Sequence, residues 1–316
     1  MKISNHNIPV TPQCDPANIP TEFPNRLSDN IFCRDPYILL YGDHYYLYRT
    51  AGKKGMECLV SKDLLCWSEP VPVFTAPDDF HGVDDFFWAP ECHYYKGNFY
   101  IFTSVYSKVY EHRVIAAYRA TNPLGPFEDI TNGRLSPDGW DAIDGTLYVD
   151  DKGQPWLIFV HEWTSTPDKV GTMATAKLSE DFTRLISEPV ELFRATDPVW
   201  SDSDVTDGPY PFVDDNGKIA MIWSNFSPKG YCVGIAESLG KDHLGPWVQK
   251  DVPLYQKELC EEYVLDGGHA MLFYSKEGKL MMSMHSPNSD RYGIYEHVTL
   301  LELDESNGLA IKKKWN

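Results

Sequence analysis

Four carboxyl groups in this chain are candidates for acid/base chemistry. Asp35 precedes a proline, Asp144 and Asp207 each precede a glycine, and Glu162 follows a histidine. A pair of carboxyl groups can divide such work, since a protonated one donates a proton to a leaving group while an ionised one activates water. Asp before Gly or Pro is also a common turn residue, so each aspartate alone is a weak signal. The signal becomes stronger if the fold brings these residues together.

The aspartates belong to a repeat. Five times, a turn-prone motif opens a run of aromatic and β-branched residues, at intervals of 53 to 63 residues. The runs begin at Asp35, Glu91, Asp144, Asp207 and Asp266. A repeat of this length, built from short alternating segments, is typical of one blade of a β-propeller. We therefore predict an all-β fold, a five-bladed β-propeller with four-stranded antiparallel blades around a central channel.

The repeat also predicts where the aspartates lie. The innermost strand of each propeller blade lines the channel, so the first residues of the five runs should share one small site. Carboxylates that converge raise each other's pKa, an arrangement that is concentrated at functional sites. We predict Asp35 as general base and Asp207 as proton donor, with Asp144 between them raising the pKa of the donor.

The repeat sets the predicted domain boundaries. Residues 1–30 are rich in Pro, Asn and Asp without periodicity, which predicts an irregular lead-in. Residues 31–316 are predicted to form the propeller and to be the catalytic domain. In every repeat a Gly-containing turn follows the first strand and leads into a second, which is a strong local signal for a β-hairpin.

Composition restricts the partners of this chain. The 316 residues carry a formal net charge of −18, which repels nucleic-acid phosphates and anionic membrane faces. A neutral oligosaccharide is compatible with that charge.

The seven cysteines have no metal-like spacing and, being odd in number, cannot all pair within one chain. Reduced thiols, together with an N-terminus that has no apolar leader, predict a cytoplasmic location, although a trimmed secreted form would look the same. The sequence leaves the oligomeric state open.

Several stretches, in this order, resemble glycoside hydrolase family 43. They are Arg34-Asp-Pro-Tyr-Ile, Phe87-Trp-Ala-Pro-Glu-Cys-His-Tyr-Tyr, Ile143-Asp-Gly-Thr-Leu-Tyr-Val, Thr206-Asp-Gly-Pro-Tyr and Gly267-Gly-His-Ala. The resemblance covers about residues 31–300 and implies an inverting hydrolase of pentose-containing oligosaccharides, with α-L-arabinofuranosyl or β-D-xylosyl linkages. It implies the same roles for the three aspartates, with Trp88 as a wall of the site and His269 near the channel centre.

One position departs from the family pattern. The family usually has Glu as the acid, whereas this chain has Asp207, whose side chain is shorter by one methylene. Glu162 is the alternative proton donor, and loss of hydrolysis is a further possibility.

Two rival functions follow from these observations. A glycoside phosphorylase would need a basic cluster for phosphate, of which Arg34 and Arg49 are the nearest candidates. The other rival is a sugar-binding propeller without catalysis.

The remaining candidates are ligand contacts. Arg34 and a set of aromatic residues near strand starts or loops could bind a sugar, namely Phe86, Phe87, Trp88, Trp140 and Trp163. Core packing is the commoner role for any one such ring. The resemblance also implies Ca²⁺ or another cation in the channel near His269, as electrostatic support, and no organic cofactor. Calcium prefers six to eight oxygens, so one histidine cannot define the site. His93, His161 and His285 have apolar neighbours and are predicted to be structural.

Overall fold

Five antiparallel sheets arranged as blades make up the described part of the chain, which confirms the predicted five-bladed β-propeller. The computed structural model describes residues 2–3, 16, 18–51, 54–83, 87–131, 133–214, 216–289, 293–306 and 309–315. Each blade has a four-stranded core in which neighbours along the chain pair with each other. Phe86 and Cys14 lie outside the described residues.

The strands of the first two blades run outward from the channel in chain order. Blade 1 contains Arg34–Tyr41, His44–Thr50, Gly55–Ser61, Cys66–Trp67 and Val71–Thr75, the last two both pairing with the third strand. Blade 2 contains Trp88–Tyr95, Asn98–Tyr106, Arg113–Ala120 and Glu128–Asp129.

The other three blades repeat this order. Blade 3 contains Ala142–Val149, Pro155–His161, Thr172–Lys177 and Val190–Arg194. Blade 4 contains Asp207–Val213, Ile219–Ser227, Gly230–Ser238 and Trp247–Gln249. Blade 5 contains Gly268–Tyr274, Leu280–Ser286, His297–Asp304 and Ala310–Lys314. In every blade, the start of the inner strand and the end of the second strand therefore lie side by side, at the same end of the channel.

Turn chemistry explains the hairpins between the first and second strands. Gly42 and Gly97 have φ values of 57° and 87°, which a glycine adopts without the steric strain of a side chain. In blade 4, Oδ1 of Asp214 accepts the N–H groups of Asn216 and Lys218 and so closes the turn by a side-chain bond. The predicted hairpins are confirmed, and their turns lie at the opposite end of each blade from the strand starts.

Apolar side chains fill the spaces between neighbouring blades. Phe182, which is fully buried, contacts the rings of Tyr95 and Tyr100 with centroid distances of 5.0 and 4.6 Å. Between blades 3 and 4, the ring of Phe193 lies 5.1 Å from that of Trp223. Packing of this kind holds each blade against the next and fixes the inner strands around the channel.

Hydrogen bonds between the first and last blades close the ring. Cys33 N–H donates to the carbonyl of Glu296 over 2.9 Å, and Val298 N–H donates to the carbonyl of Ile31 over 3.2 Å. Phe32 forms a bridge with His297.

Short elements near the N-terminus extend two blades. Asn25–Arg26 adds to Cys66–Trp67 at the edge of blade 1, and Leu27–Asp29 forms a 3₁₀ turn. Lys2–Ile3 pairs with the inner strand of blade 4.

The six described cysteines are unpaired. Within the described ranges there is no helix with the length and apolar character of a membrane span.

Candidate active site

Each inner strand carries the same irregularity at its start. The register slips after the first paired residue of the inner strand in four blades and after the second in blade 3, so that two residues of the inner strand lie opposite one residue of the second strand. The first residue of each bulge has a positive φ, at 50° for Asp35, 45° for Ala89, 54° for Asp144, 50° for Gly208 and 49° for His269. In a non-glycine residue this conformation costs about 1–3 kcal/mol and is concentrated at functional sites. The bulge aims this residue at the shared site.

The bulges correct the register that we expected from the sequence. Asp35 and Asp144 occupy equivalent bulge positions, as predicted. Glu91, in contrast, lies two residues after the bulge residue of blade 2, Asp207 lies one before that of blade 4, and Asp266 lies three before that of blade 5. The five run starts are therefore not equivalent. The sequence could not reveal this, because several residues of a turn-prone motif could occupy the bulge.

Asp35 lies in a cradle of hydrogen-bond donors. Thr50 Oγ1 donates to Asp35 Oδ2 over 2.6 Å, and Nδ1 of His269 lies 3.2 Å from Asp35 Oδ1. Burial alone would raise the pKa of this carboxyl, but the imidazoles of His269 and His285, followed by the Arg34 guanidinium and the Thr50 hydroxyl, hold it below its ordinary value. Asp35 is therefore ionised at neutral pH, the state that a general base requires.

His285, predicted to be structural, lies beside Asp35. Its Nε2 lies 2.9 Å from Asn288 Oδ1, which can only accept, so Nδ1 is left to accept the Asp35 N–H over 3.2 Å. Burial lowers the pKa of His285 to about 4, so the ring is neutral at pH 7. The ring stacks on Tyr231, with centroids 5.5 Å apart.

Sequence reasoning missed the site roles of Thr50, Tyr231 and His285. The signal available was their place at the end of a second strand or the start of a third.

Asp144 is held across the junction between blades 3 and 4. Gly208 N–H donates to Asp144 Oδ2 over 2.9 Å, and the Asp144 N–H donates to Ser104 Oγ over 3.0 Å. Nδ1 of His269 lies 3.8 Å from the same Oδ2. Burial, followed by the charge of Asp35, raises the pKa of Asp144 well above its ordinary value. A side chain at Gly208 would place its Cβ 3.0 Å from the His269 ring, so this approach needs glycine.

Asp207 has the properties of a proton donor. It starts the inner strand of blade 4, and its Oδ2 accepts the Tyr231 hydroxyl over 2.9 Å. Burial and the neighbouring charge of Asp144 raise the pKa of Asp207 to about 7. The carboxyl thus holds a proton at weakly acidic pH, where Asp35 is ionised.

Glu162 lies on the same face but in different surroundings. It directly follows the second strand of blade 3 and is partly exposed, with its N–H bonded to the carbonyl of Asp141 over 2.8 Å. Burial and the charge of Asp141 raise its pKa, while Arg113 opposes the rise. Glu162 is partly exposed and its charge contributes to the raised pKa of Asp144, which fits a position at the rim of the site.

Trp88 starts the inner strand of blade 2, and one face of its ring is covered. The Arg113 guanidinium lies 3.3 Å from the Trp88 centroid, a cation–π contact that leaves only the other face or the edge for a ligand. Nη1 of Arg113 is buried and makes no hydrogen bond to the residues described. Sequence reasoning did not single out Arg113.

The other predicted contacts have diverse surroundings. Arg34 is half exposed and pairs with Glu296 at 3.3 Å. Phe87 is 1% exposed and packs against other phenylalanines, so its assignment to substrate is wrong. Trp140 stacks on His161 at 3.6 Å, within the edge of the core. Trp163, 41% exposed, remains open to a ligand.

The described side chains do not supply the ligands of a calcium site. Among them, no group of three or more His, Cys, Asp or Glu residues has a spacing suited to a metal ion. Nδ1 of His269 already faces Asp35 and Asp144. The residues therefore do not fit a protein-built calcium site, and any ion in the channel would be held mainly by water.

Comparisons of sequence and structure relate this chain to known proteins. The model of the family described as glycosyl hydrolases family 43 matches residues 30–308. The chain is 30% identical over 173 residues to an extracellular exo-alpha-(1->5)-L-arabinofuranosidase of Cellvibrio japonicus, covering 50% of this chain and 46% of that protein. It is 27% identical over 149 residues to an extracellular endo-alpha-(1->5)-L-arabinanase of Bacillus subtilis, covering 43% of this chain and 46% of that protein. The matches thus span less than half the length of these relatives.

A solved structure matches over nearly the whole chain. The crystal structure of an endo-arabinase from Bacteroides thetaiotaomicron superposes with a TM-score of 0.80 at 35% identity, covering 91% of this chain and 99% of that one.

The names of the two curated relatives contradict one prediction. Both are called extracellular, so the predicted cytoplasmic location is wrong. Unpaired thiols and the composition of the first residues were not sufficient to assign a compartment.

Proposed function

This chain belongs to the glycosyl hydrolases of family 43, and from that premise we propose that it hydrolyses α-L-arabinofuranosyl linkages in arabinan-derived oligosaccharides, with inversion at the anomeric carbon. The observation that carries the proposal is the opposed protonation of Asp35 and Asp207 within one site. The pKa of Asp35 is held below its ordinary value, whereas that of Asp207 is raised to about 7. The names of the relatives favour arabinofuranosyl over xylosyl linkages.

In the proposed reaction, the two aspartates act on opposite sides of the scissile bond. Ionised Asp35 accepts a proton from water as the water oxygen attacks the anomeric carbon. Protonated Asp207 gives its proton to the departing glycosidic oxygen. The carbon–oxygen bond to the leaving sugar breaks as the new one forms, so the product has the inverted configuration and no covalent intermediate forms.

Asp144 and His269 position these groups. The imidazole of His269 lies between Asp35 and Asp144 and keeps the base oriented. The raised pKa of Asp144 fits a group that influences Asp207 rather than one that attacks the sugar. Arg113, with a buried donor atom that has no partner among the described residues, is placed to bind a sugar hydroxyl beside Trp88.

The two rival functions are less well supported. A phosphorylase needs cations for phosphate, but both candidates are paired with carboxylates, Arg34 with Glu296 and Arg49 with Glu57. A binding module would have no need of carboxyls with opposed pKa shifts. Because both curated relatives are extracellular, we propose polymeric arabinan outside the cell as the source of the substrate.

One NMR experiment tests the reaction. The enzyme is incubated with 4-nitrophenyl α-L-arabinofuranoside, arabino-oligosaccharides and xylo-oligosaccharides, with and without phosphate, and the first anomer formed is recorded. We expect β-L-arabinose first, without dependence on phosphate, and release by the Asp35→Asn variant that is about 10²- to 10⁴-fold slower. Release of the α-anomer would overturn inversion. Turnover of xylo-oligosaccharides alone would overturn the substrate, and wild-type rates equal to those of Asp35→Asn would overturn hydrolysis.

A further inference from the structure

A belt of hydrogen bonds links neighbouring blades around the channel. In four of the five junctions, a polar side chain at the end of a second strand accepts the N–H of the bulge residue in the next blade. The acceptors and distances are Thr50 from Ala89 at 2.7 Å, Ser104 from Asp144 at 3.0 Å, Ser224 from His269 at 2.8 Å and His285 from Asp35 at 3.2 Å.

The four acceptors occupy one structural position. Each pairs with the residue immediately before the bulge of its own blade, as Thr50 pairs with Arg34 and Ser224 with Asp207. The corresponding pair in blade 3 is Ile143 with Val160. The side chain of valine has no atom that can accept a hydrogen bond, so the junction from blade 3 to blade 4 lacks this link.

The missing acceptor changes the partner of one amide. The fifth bulge N–H, that of Gly208, donates instead to Asp144 Oδ2 over 2.9 Å. We propose that Val160 is a positioning residue: by offering no acceptor, it reserves the Gly208 amide for the carboxylate of Asp144 and so fixes that side chain in the site. This inference rests on the proposed function.

Blade 1 shows the alternative arrangement. There, Thr50 accepts the Ala89 N–H and also donates to the carboxylate of Asp35 over 2.6 Å. Asp35 and Asp144 occupy equivalent bulges, yet one is bound by a hydroxyl of its own blade and the other by an amide of the next. The type of residue at one second-strand position therefore separates the surroundings of the two aspartates.

The substitution Val160→Thr tests the proposal, because it introduces the side chain of blade 1 into blade 3 with little change of shape. Val160 is fully buried, so a new hydroxyl will seek a partner. We expect a crystal structure of the variant to show the new hydroxyl accepting the Gly208 N–H and donating to the Asp144 carboxylate, as Thr50 does with Ala89 and Asp35, so that Asp144 loses its bond to the Gly208 amide. We expect kcat on arabino-oligosaccharides to fall about 10- to 100-fold, with KM changed less than about 3-fold.

Two controls separate positioning from packing. Val160→Ala also lacks an acceptor but removes more volume, so a packing role predicts that it loses more kcat than Val160→Thr. Positioning predicts the reverse order. Val60→Thr buries a hydroxyl in the third strand of blade 1, away from the site, and should lower the Tm without changing kcat.

Two results would overturn the proposal. One is a Val160→Thr structure in which Gly208 N–H still bonds only Asp144, and the other is wild-type kcat in a variant whose hydroxyl has taken that amide. If the wild type itself hydrolyses no arabinoside, the proposed function fails. The crystal structures then still decide whether Val160 controls the position of Asp144.

Discussion

The hydroxyl of Tyr231 donates to Asp207 Oδ2 over 2.9 Å, so a neutral group on the third strand of blade 4 stabilises the charged form of the proposed acid. Burial and Asp144 outweigh this bond and raise the pKa of Asp207 to about 7. Tyr231 thus limits how far the pKa rises. This relationship makes the pH dependence of turnover testable at a single side chain.

The pH profile of kcat/KM should be bell-shaped. Activity requires Asp35 ionised and Asp207 protonated, so it should fall as the pH rises through about 7. Tyr231→Phe removes a bond to the charged carboxylate, which raises the pKa of Asp207 further. The pH at which kcat/KM falls on the basic side of the profile should therefore move to a higher value. Tyr94→Phe, at the far end of the inner strand of blade 2, should leave that pH unchanged. If Tyr231→Phe left it unchanged or lowered it, the assignment of Asp207 would be contradicted.

Loss of the base should abolish most turnover without unfolding the protein. Asp35→Asn removes the group that accepts a proton from water, so kcat should fall by about 10²- to 10⁴-fold. Asp43→Asn, in the exposed turn at the other end of the same blade, is the matched control and should keep wild-type kcat. Steady-state kinetics with arabino-oligosaccharides measure both. Equal activity of the two variants would exclude Asp35 as base.

The identity of the proton donor can be tested with two leaving groups. Asp207→Asn should lose about 10²- to 10⁴-fold in kcat on arabino-oligosaccharides. It should lose far less on a dinitrophenyl arabinofuranoside, whose leaving group needs no proton. Glu162→Gln should retain activity on both, since Glu162 lies at the rim. The opposite pattern would assign the donor role to Glu162.

Phe87 and Trp163 should respond in opposite ways to alanine substitution. Phe87 is buried among aromatic rings, so Phe87→Ala should lower the free energy of unfolding by about 3–5 kcal/mol. Trp163 is 41% exposed, so Trp163→Ala should change stability by less than about 0.5 kcal/mol while raising KM. Urea denaturation and substrate titration measure the two effects. A stable Phe87→Ala variant would mean that this ring is not part of the core.

The blade count, the hairpins and the convergence of Asp35, Asp144 and Asp207 could be predicted from the sequence, because strand alternation and turn residues are local properties and the repeat relates the strands to one another. The equivalent positions of Asp35 and Asp144 followed from their shared place in the repeat. The structure gives them equivalent backbone conformations with opposite pKa shifts.

The rest depended on contacts between blades. Asp207 reaches the site from the position before the bulge, and no spacing rule distinguishes that position from the bulge itself. Phe87 and Trp163 look alike in sequence, yet one ring packs inward and the other outward. His285 looks like an ordinary strand residue until the ring closes and places it on Asp35, whereas Thr50 reaches Asp35 from the neighbouring strand of the same blade.

The seam between the first and last blades has a consequence for heat inactivation. The amide of Asp35 is bonded to His285 across that seam, a few residues from the Cys33–Glu296 bond that holds the blades together. Slight parting of these two blades would therefore disable the base while the other four inter-blade contacts stay intact. On heating, turnover should disappear several degrees below the temperature at which circular dichroism reports loss of β-structure.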